Sequence, residues 1–334
     1  MIDNIQNTKY FDGKMILITG GTGSFGKKFI KTLLKETNFK RLVIFSRDEL
    51  KQEEMRTMHE FNDERLRFFI GDIRDKERLY RAMVGINIVV HAAALKQVPT
   101  CEYNPIEAIR TNIIGAENII NAAIDMKVDK VIALSTDKAV NPINLYGATK
   151  LVAEKLFIQG NNYSSVDGTK FCVVRYGNVV GSRGSVIPLF NHQKKNGILT
   201  LTDKTMTRFW ITLDQGVRFV MKCTEICFGG EIFVPKIPSM KIMNLARMIA
   251  PKSKIKTIGI RPGEKIHEML ISQDEARNTY EFDDMFVIKP VNLFREPNNI
   301  LWSLGKPMKS SFYSSNTNKQ WITPKLMKKM ISNI

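Results

Sequence analysis

The sequence has no apolar run near the roughly 18–20 residues that a membrane-spanning helix needs. Its first residues, MIDNIQNTKYFDGK, lack the basic-then-apolar layout of a secretory signal. A cytoplasmic protein is the expectation. Cysteine is scarce: Cys101, Cys172, Cys223 and Cys227 are too few and too irregularly spaced for a disulfide framework. Cys223 and Cys227 are spaced for one face of a helix, but no second Cys or His pair lies near them in sequence. Reduced thiols are therefore expected, and no metal site. Internal repeats are absent as well. With 50 Lys and Arg against 33 Asp and Glu the formal charge is +17. The lysines are scattered, and no basic block alternates with aromatics, which argues against nucleic acid. A basic cleft for a phosphate-bearing small molecule, together with a lysine-rich composition, accounts for the surplus.

What is present is a regular alternation. The 334 residues leave room for one large or two modest domains. From Met15 to Asn178, short apolar runs alternate with amphipathic stretches. The runs at Met15–Thr19, Arg41–Ser46, Leu66–Gly71, Ile86–Ala92, Lys130–Thr136 and Phe171–Gly177 suit parallel strands covered on both faces. Asn104-Pro105 opens a helix with a good cap and a proline at its first position. Ile106, Ile109, Ile113, Ala116 and Ile120 then fall along one expected stripe. Such alternation predicts an α/β fold with a doubly wound parallel sheet.

After Gly177 the rhythm loosens, which predicts a smaller α/β substrate domain over 178–290. One return to the sheet is expected near Glu231–Pro235, within a segment spanning 209–235. A polar tail over 291–334 should end in a short helix at Pro324–Met330.

Gly20, Gly23 and Gly26, with Thr22, Ser24 and Phe25 between them, follow the first strand and open a helix. Glycines so placed allow a tight turn and close backbone approach to a pyrophosphate, which the helix N-terminus attracts. The second strand ends in Ser46 and Arg47, with Lys51 one turn on. A terminal acid there would bind a ribose 2′-hydroxyl; Arg47 instead suits a 2′-phosphate, so NADP is favoured. Asp48 leaves NAD open, since a small register shift would restore the acid. Asp72 and Ile73 follow the third strand, where adenine would be held. Ala92, Ala93 and Ala94 follow the fourth, where small side chains admit the cofactor. His91 beside them reads as a packed ring.

Tyr146 and Lys150 form Tyr-x-x-x-Lys at the start of a helix, on one face. A nearby ammonium lowers a phenol's pKa, which would make Tyr146 a base for a sugar hydroxyl. Thr136, Asp137 and Lys138 end the fifth strand, where open α/β sheets bind their ligands.

Taken in order, TGGTGSFG, SRDELKQ, FFIGDIRD, HAAALK, STDKA, NPINLYGATK, RYGNVVGSRGSV, MTRFWIT, GGEIFVPKIPSMK and IGIRPGEK form a set that resembles the inverting UDP-N-acetylglucosamine 4,6-dehydratases. These are extended short-chain dehydrogenases/reductases with a Rossmann domain, and they begin the route to pseudaminic acid and related surface sugars such as those on flagellin. The resemblance runs from Met15 to about Pro290. It implies catalytic NADP, oxidation at sugar carbon 4, loss of water across carbons 5 and 6, and hydride return to carbon 6 with inversion at carbon 5. Tyr146 would take the hydroxyl proton, Lys150 would hold the nicotinamide ribose, and Asp137 with Lys138 would form the acid/base pair. In that scheme Lys138 works as a neutral amine of depressed pKa. Retaining enzymes carry Asp-Glu in place of Asp137-Lys138. Carried over as substrate contacts are Lys96, Arg175, Tyr176, Asn178, Ser185, Arg208, Arg261 and Glu264, with Lys96 also near the cofactor. Gln97 departs from the histidine that members often have. The resemblance also implies a homo-oligomer, often a hexamer. The rival readings are an epimerase or retaining dehydratase of the same fold, and a non-catalytic dinucleotide-sensing regulator.

Overall fold

The computed structural model describes residues 8–165, 167–182, 186–291 and 301–332. The six expected strands form as β1 (Met15–Thr19), β2 (Arg41–Ser46), β3 (Leu66–Ile70), β4 (Ile88–His91), β5 (Lys130–Thr136) and β6 (Lys170–Tyr176). They pair in parallel in the order β3-β2-β1-β4-β5-β6, with helices on both faces. Val, Ile, Leu and Phe side chains of β1, β2, β4 and β6 are almost fully buried, as continuous apolar runs require when both faces are covered, while the edge strand β3 leaves Ile70 exposed. This order reverses beside β1 and creates the crevice in which open α/β sheets bind ligands.

Beyond β6 come β7 (Asn178–Val179), β8 (Ile198–Leu201), β9 (Thr207–Ile211), β10 (Ile232–Pro235), β11 (Ser239–Lys241), β12 (Lys254–Thr257), β13 (Met269–Ile271), β14 (Thr279–Glu281), β15 (Met285–Ile288), β16 (Lys306–Pro307) and β17 (Tyr313–Ser314). The chain returns to the sheet more than once. β10 joins β6 in parallel, and β15, β14 and β16 then extend the edge antiparallel, making ten strands among the described residues. These late strands are only two to four residues long, too short for a pattern to declare itself in sequence. β9 lies outside the main sheet, paired with β7 and β11 over the cleft.

A second, smaller core joins Phe190, Leu199, Trp210, Met240 and Leu245 to Met327 and Met330 of the last helix, Pro324–Ser332. The tail thus packs against the region after β6. No helix among the described residues is long and apolar enough to cross a membrane. All four cysteines are buried free thiols, and no metal-holding cluster of His, Cys, Asp or Glu occurs among the described residues.

Of the stripe expected after Asn104, Ala116 and Ile120 are buried, Ile109 and Ile113 are half-buried and Ile106 is exposed. Helix runs over Pro105–Ile109 and Gly115–Asp125, with a π turn at Arg110–Ile114 between them. The π turn makes a wider turn there, and Thr111 and Asn112 are buried in it, with Ala108 buried just before it. Asn112 uses that position to bind both backbone groups of Leu95 and the Thr149 hydroxyl, each at about 3 Å.

His91 is a packed ring, stacked at a tilt on Phe157. The Thr19 hydroxyl accepts the N–H groups of Ala92 and Ala93, so its own proton goes to His91 Nδ1 at 2.8 Å. Burial, helped by the charge on Lys150, lowers the imidazole from 6.5 to about 3. Between those values the unfolded chain binds the proton and the folded one does not. The ring's contribution is therefore intact above pH 6.5 and is lost as pH falls toward 3. Urea denaturation across this window should give a stability slope steeper by up to ~1.4 kcal/mol per pH unit than that of His91→Gln. Parallel slopes for the two proteins would rule the ring out as the cause.

Candidate active site

A cleft of about 1130 Å³ opens at the carboxyl ends of β1, β2, β4 and β5. It exceeds the ~300–1,000 Å³ of a pocket for one drug-sized ligand, leaving room for a dinucleotide and a second molecule. Every residue expected at the cofactor lines it.

Its floor is the turn after β1. Gly20 has φ +68°, and a Cβ there would sit 3.0 Å from the Ala93 backbone, so glycine is required. The helix Ser24–Glu36 that follows is capped by Gly23 without any side-chain hydrogen bond. Its first N–H groups are therefore left for an anion, and the floor fits a pyrophosphate. At the end of β2, Ser46 is held by Gln52, whose amide donates to Ser46 Oγ at 2.9 Å. Asp48 is committed elsewhere: it caps the helix Glu49–Thr57 through Lys51 N–H and pairs with the Lys51 ammonium. Arg47 is half exposed, 3.7 Å from Asp72.

The reactive wall is built where β5 ends. Thr136 caps the turn Asp137–Ala139 by accepting the Lys138 N–H at 3.4 Å. Asn144 then starts the helix Leu145–Tyr163 by accepting the Gly147 N–H at 2.8 Å. A Cβ on Gly147 would lie 2.2 Å from the Lys138 carbonyl oxygen, so only glycine lets this helix pack on the turn. Tyr146 and Lys150 thereby face the cleft together, both buried. Lys150 Nζ donates to the Leu134 carbonyl at 2.7 Å. Burial lowers its ammonium to about 8, against the pull of Glu154. The same burial pushes the Tyr146 phenol up to about 12, although Lys138 and a Thr136 hydrogen bond pull it down. The expected lowering of Tyr146 by Lys150 is not what this protein has: desolvation wins, and the ammonium that pulls against it is that of Lys138.

Lys138 also departs from expectation. Its Nζ lies 3.0 Å from Asp137 Oδ1 and 3.4 Å from Glu268 Oε1. Burial opposes the charge, but the two carboxylates outweigh it and hold the ammonium above the ordinary lysine value. It is not a neutral amine. Asp137 has no exposed surface and does not line the cleft; burial, and repulsion from Glu268, push its carboxyl up. Glu268, unforeseen in the sequence, does line the cleft.

Among the expected substrate contacts, Lys96, Tyr176, Asn178, Arg208, Arg261 and Glu264 line the cleft. Arg208 gives hydrogen bonds to the carbonyls of Thr207, Lys265 and Ile266 and so pins the segment that carries Glu264 and Glu268. Ser185 lies outside the described residues. Arg175 is a correction. It is fully buried behind the sheet, where Glu154 and Glu275 accept from its guanidinium at 2.6–3.1 Å and the Leu270 carbonyl at 2.9 Å. Its position next to Tyr176 explains the misreading, since adjacent strand residues point to opposite faces.

The strand order, the glycine turn and the Tyr-x-x-x-Lys helix define an extended short-chain dehydrogenase/reductase with a Rossmann domain. The chain belongs to the polysaccharide biosynthesis protein family, whose pattern it matches over residues 16–290. It is 53% identical over 331 residues to a UDP-N-acetylglucosamine 4,6-dehydratase (inverting) of Campylobacter jejuni subsp. jejuni serotype O:23/36, covering 97% of this chain and 98% of the relative. It is 48% identical over 286 residues to a UDP-glucose 4-epimerase of Rickettsia conorii, covering 83% of each chain. The crystal structure of Pen from Bacillus thuringiensis superposes with a TM-score of 0.87 at 40% identity, covering 97% of this chain and all of that one.

Replacing Arg175 by Met should cost ~3–5 kcal/mol of stability, the scale for stranding buried charges, because Glu154 and Glu275 lose their partner. Denaturant titration checks this. An unchanged midpoint with a weakened substrate affinity would return Arg175 to the substrate set.

Proposed function

We propose that the protein is an inverting 4,6-dehydratase of UDP-N-acetylglucosamine with NADP as its resident cofactor. The product is the UDP-linked 2-acetamido-2,6-dideoxy-β-L-arabino-hexos-4-ulose, the first intermediate toward pseudaminic acid or a related surface sugar. The observation that carries the reading is Lys138, held as an ammonium beside Asp137 and across the cleft wall from Tyr146. The 53% identity to the Campylobacter enzyme along nearly the whole chain supports it. So do the breadth of the cleft and the absence of an acid side chain at the last residue of β2.

Gly20 to Gly26 would hold the pyrophosphate, Asp72 and Ile73 the adenosine, and Ser46, Arg47 and Lys51 the 2′-phosphate. Asp48, tied up as a helix cap, is not available to the ribose. The nicotinamide, when bound, takes the hydride from carbon 4 and gives it back at carbon 6. Tyr146 takes the proton of the carbon 4 hydroxyl once it is a phenolate; burial opposes that form, and the Thr136 hydrogen bond and the Lys138 charge favour it. Lys150, one turn further along the same face, would hold the nicotinamide ribose. Because Lys138 is an ammonium, it works as the acid and gives a proton to the hydroxyl that leaves carbon 6. Asp137 orients that ammonium from behind. Arg261 and Lys96 would face the diphosphate, for which a guanidinium is well shaped, while Arg208 is spent on holding the segment beside them. The reading also carries a cytoplasmic location, where nucleotide sugars are made, and a homo-oligomeric assembly.

The second reading is a 4-epimerase, favoured by the Rickettsia relatives. An epimerase needs no acid at carbon 6. Incubation with UDP-N-acetylglucosamine in heavy water, followed by NMR, separates the two. The expected product is an L-arabino 4-keto-6-deoxy sugar with deuterium at carbon 5 and the original carbon 4 hydrogen at carbon 6. A 4-epimer that keeps its carbon 6 hydroxyl would overturn the dehydratase reading. On the cofactor side, Arg47→Ala should weaken NADP by about tenfold or more, the low end for a charged hydrogen bond, and leave NAD nearly unchanged. Equal loss for both dinucleotides would remove Arg47 from the phosphate site.

A further inference from the structure

The helix that presents Tyr146 and the turn that presents Arg261 lie far apart in sequence, and one side chain joins them across 119 residues. Asn144 precedes the helix Leu145–Tyr163, is only 8% exposed and does not line the cleft. Its Oδ1 accepts the Gly147 N–H at 2.8 Å and so caps the helix. Its Nδ2 donates to the Gly263 carbonyl at 2.7 Å, in the turn that brings Arg261 and Glu264 to the cleft. A backbone N–H can only donate and a carbonyl can only accept, so these two partners fix which way the amide faces. Among the side chains that cap helices well, asparagine alone carries its acceptor and its donor on different atoms.

The contact is prepared from both sides. Gly263 has φ +74°, and a Cβ there would lie 2.9 Å from Asn144 Cβ, so another residue would push the turn off the helix. Within the turn the Glu264 N–H donates to the Arg261 carbonyl at 3.1 Å, and the Glu264 carboxylate accepts from the Thr202 hydroxyl at 3.0 Å. Two other bonds hold the neighbourhood independently. Glu102 accepts the Leu145 N–H of the helix start at 2.7 Å, and Lys265 donates to the Val140 carbonyl at 2.5 Å. Losing the Asn144–Gly263 bond would therefore leave the helix and the segment after the turn in place, and loosen the seat of Arg261 against Tyr146.

We propose that Asn144 is a positioning residue that makes the Arg261 turn and the Tyr146 helix one rigid unit, so that the hold on the diphosphate places carbon 4 of the sugar against Tyr146. The proposal rests on the dehydratase reading, which puts the diphosphate at Arg261 and the carbon 4 hydroxyl at Tyr146. The diphosphate is carried on carbon 1 and the reacting hydroxyl on carbon 4, across a stiff ring from each other. A shift of the turn against the helix start therefore reappears as a shift of the hydroxyl against the phenol. A misplacement of about 1 Å at reacting atoms can slow a reaction about 100-fold. Arg261 would still meet the diphosphate with the bond gone, so the loss belongs to the chemical step rather than to nucleotide binding.

Two variants separate the bridge from the cap. Asn144→Asp is almost isosteric and still caps the helix, but has no proton for the Gly263 carbonyl. Asn144→Ser caps without adding a charge and is one atom shorter. The cofactor-loaded enzyme is followed in a single turnover of UDP-N-acetylglucosamine, where the rise of reduced-cofactor absorbance reports oxidation at carbon 4, and UDP titration reports the hold on the nucleotide. Wild-type enzyme must first yield the 4-keto-6-deoxy product by NMR; if it yields none, the dehydratase reading fails whatever Asn144 does. With that product in hand, both variants should oxidise carbon 4 ~10- to 100-fold more slowly, with UDP affinity and thermal midpoint nearly unchanged. Because Asn144 acts through the turn, N144D combined with R261A should lose less than the product of the two single losses. Wild-type oxidation rates in both variants would overturn the proposal, and so would fully multiplicative losses. A fall in UDP affinity that accounts for the whole loss would overturn it too, as would a thermal midpoint that falls in step with the rate in both variants, which would leave Asn144 a helix cap and no more. Should only one variant lose stability, the other decides by the same readouts.

Discussion

Lys138 is an ammonium at the cleft wall with only about a quarter of its side chain exposed, and much of the architecture beyond β6 supplies the carboxylates that hold it there. A buried charge is expensive unless it is paired and its partners are themselves satisfied. One partner, Asp137, is its neighbour in the chain. The other, Glu268, arrives from a distant segment, and that segment needs Arg208 to pin its carbonyls and the Ser314–Ser315 strand to clamp its backbone. One ion cluster thereby ties the end of the sheet to β9, to the loop before β13 and to β17. The cleft wall is rigid because these pieces share charges that none of them could bury alone.

A second buried cluster shows the difference between charge used for structure and charge available for chemistry. Arg175 has its guanidinium enclosed by Glu154, Glu275 and the Leu270 carbonyl, with its donors taken and no opening to the cleft. The Lys138 cluster is less complete. Oxygens of Asp137 and Glu268 remain without partners, and Glu268 and Lys138 meet the cleft. Incomplete satisfaction at a cavity wall is where proton transfer has both a site and a driving force.

The dinucleotide half follows local rules closely. A glycine turn, an uncapped helix N-terminus and strands that end in small residues do their work within a few residues of one another, so their purpose can be read from the order of the letters. The helix after Asn104 shows where local reading slips. Its expected stripe is buried at Ala116 and Ile120, but Ile106 is exposed, and the π turn at Arg110–Ile114 buries Asn112, which holds the Leu95 backbone. A period carries no sign of the turn that interrupts it.

The amino-acid order alone therefore determined the parallel sheet, the dinucleotide floor and the Tyr146–Lys150 helix, since each depends on neighbours in sequence and on a repeat of two or 3.6 residues. It could not determine the charge on Lys138, the retreat of Asp137 from the cleft, the burial of Arg175 or the arrival of Glu268. Those depend on how deeply each group is desolvated and on which distant carboxylates lie within 4 Å, and such distances come into being only when β9, the segment before β13 and the C-terminal strand close over the end of β5.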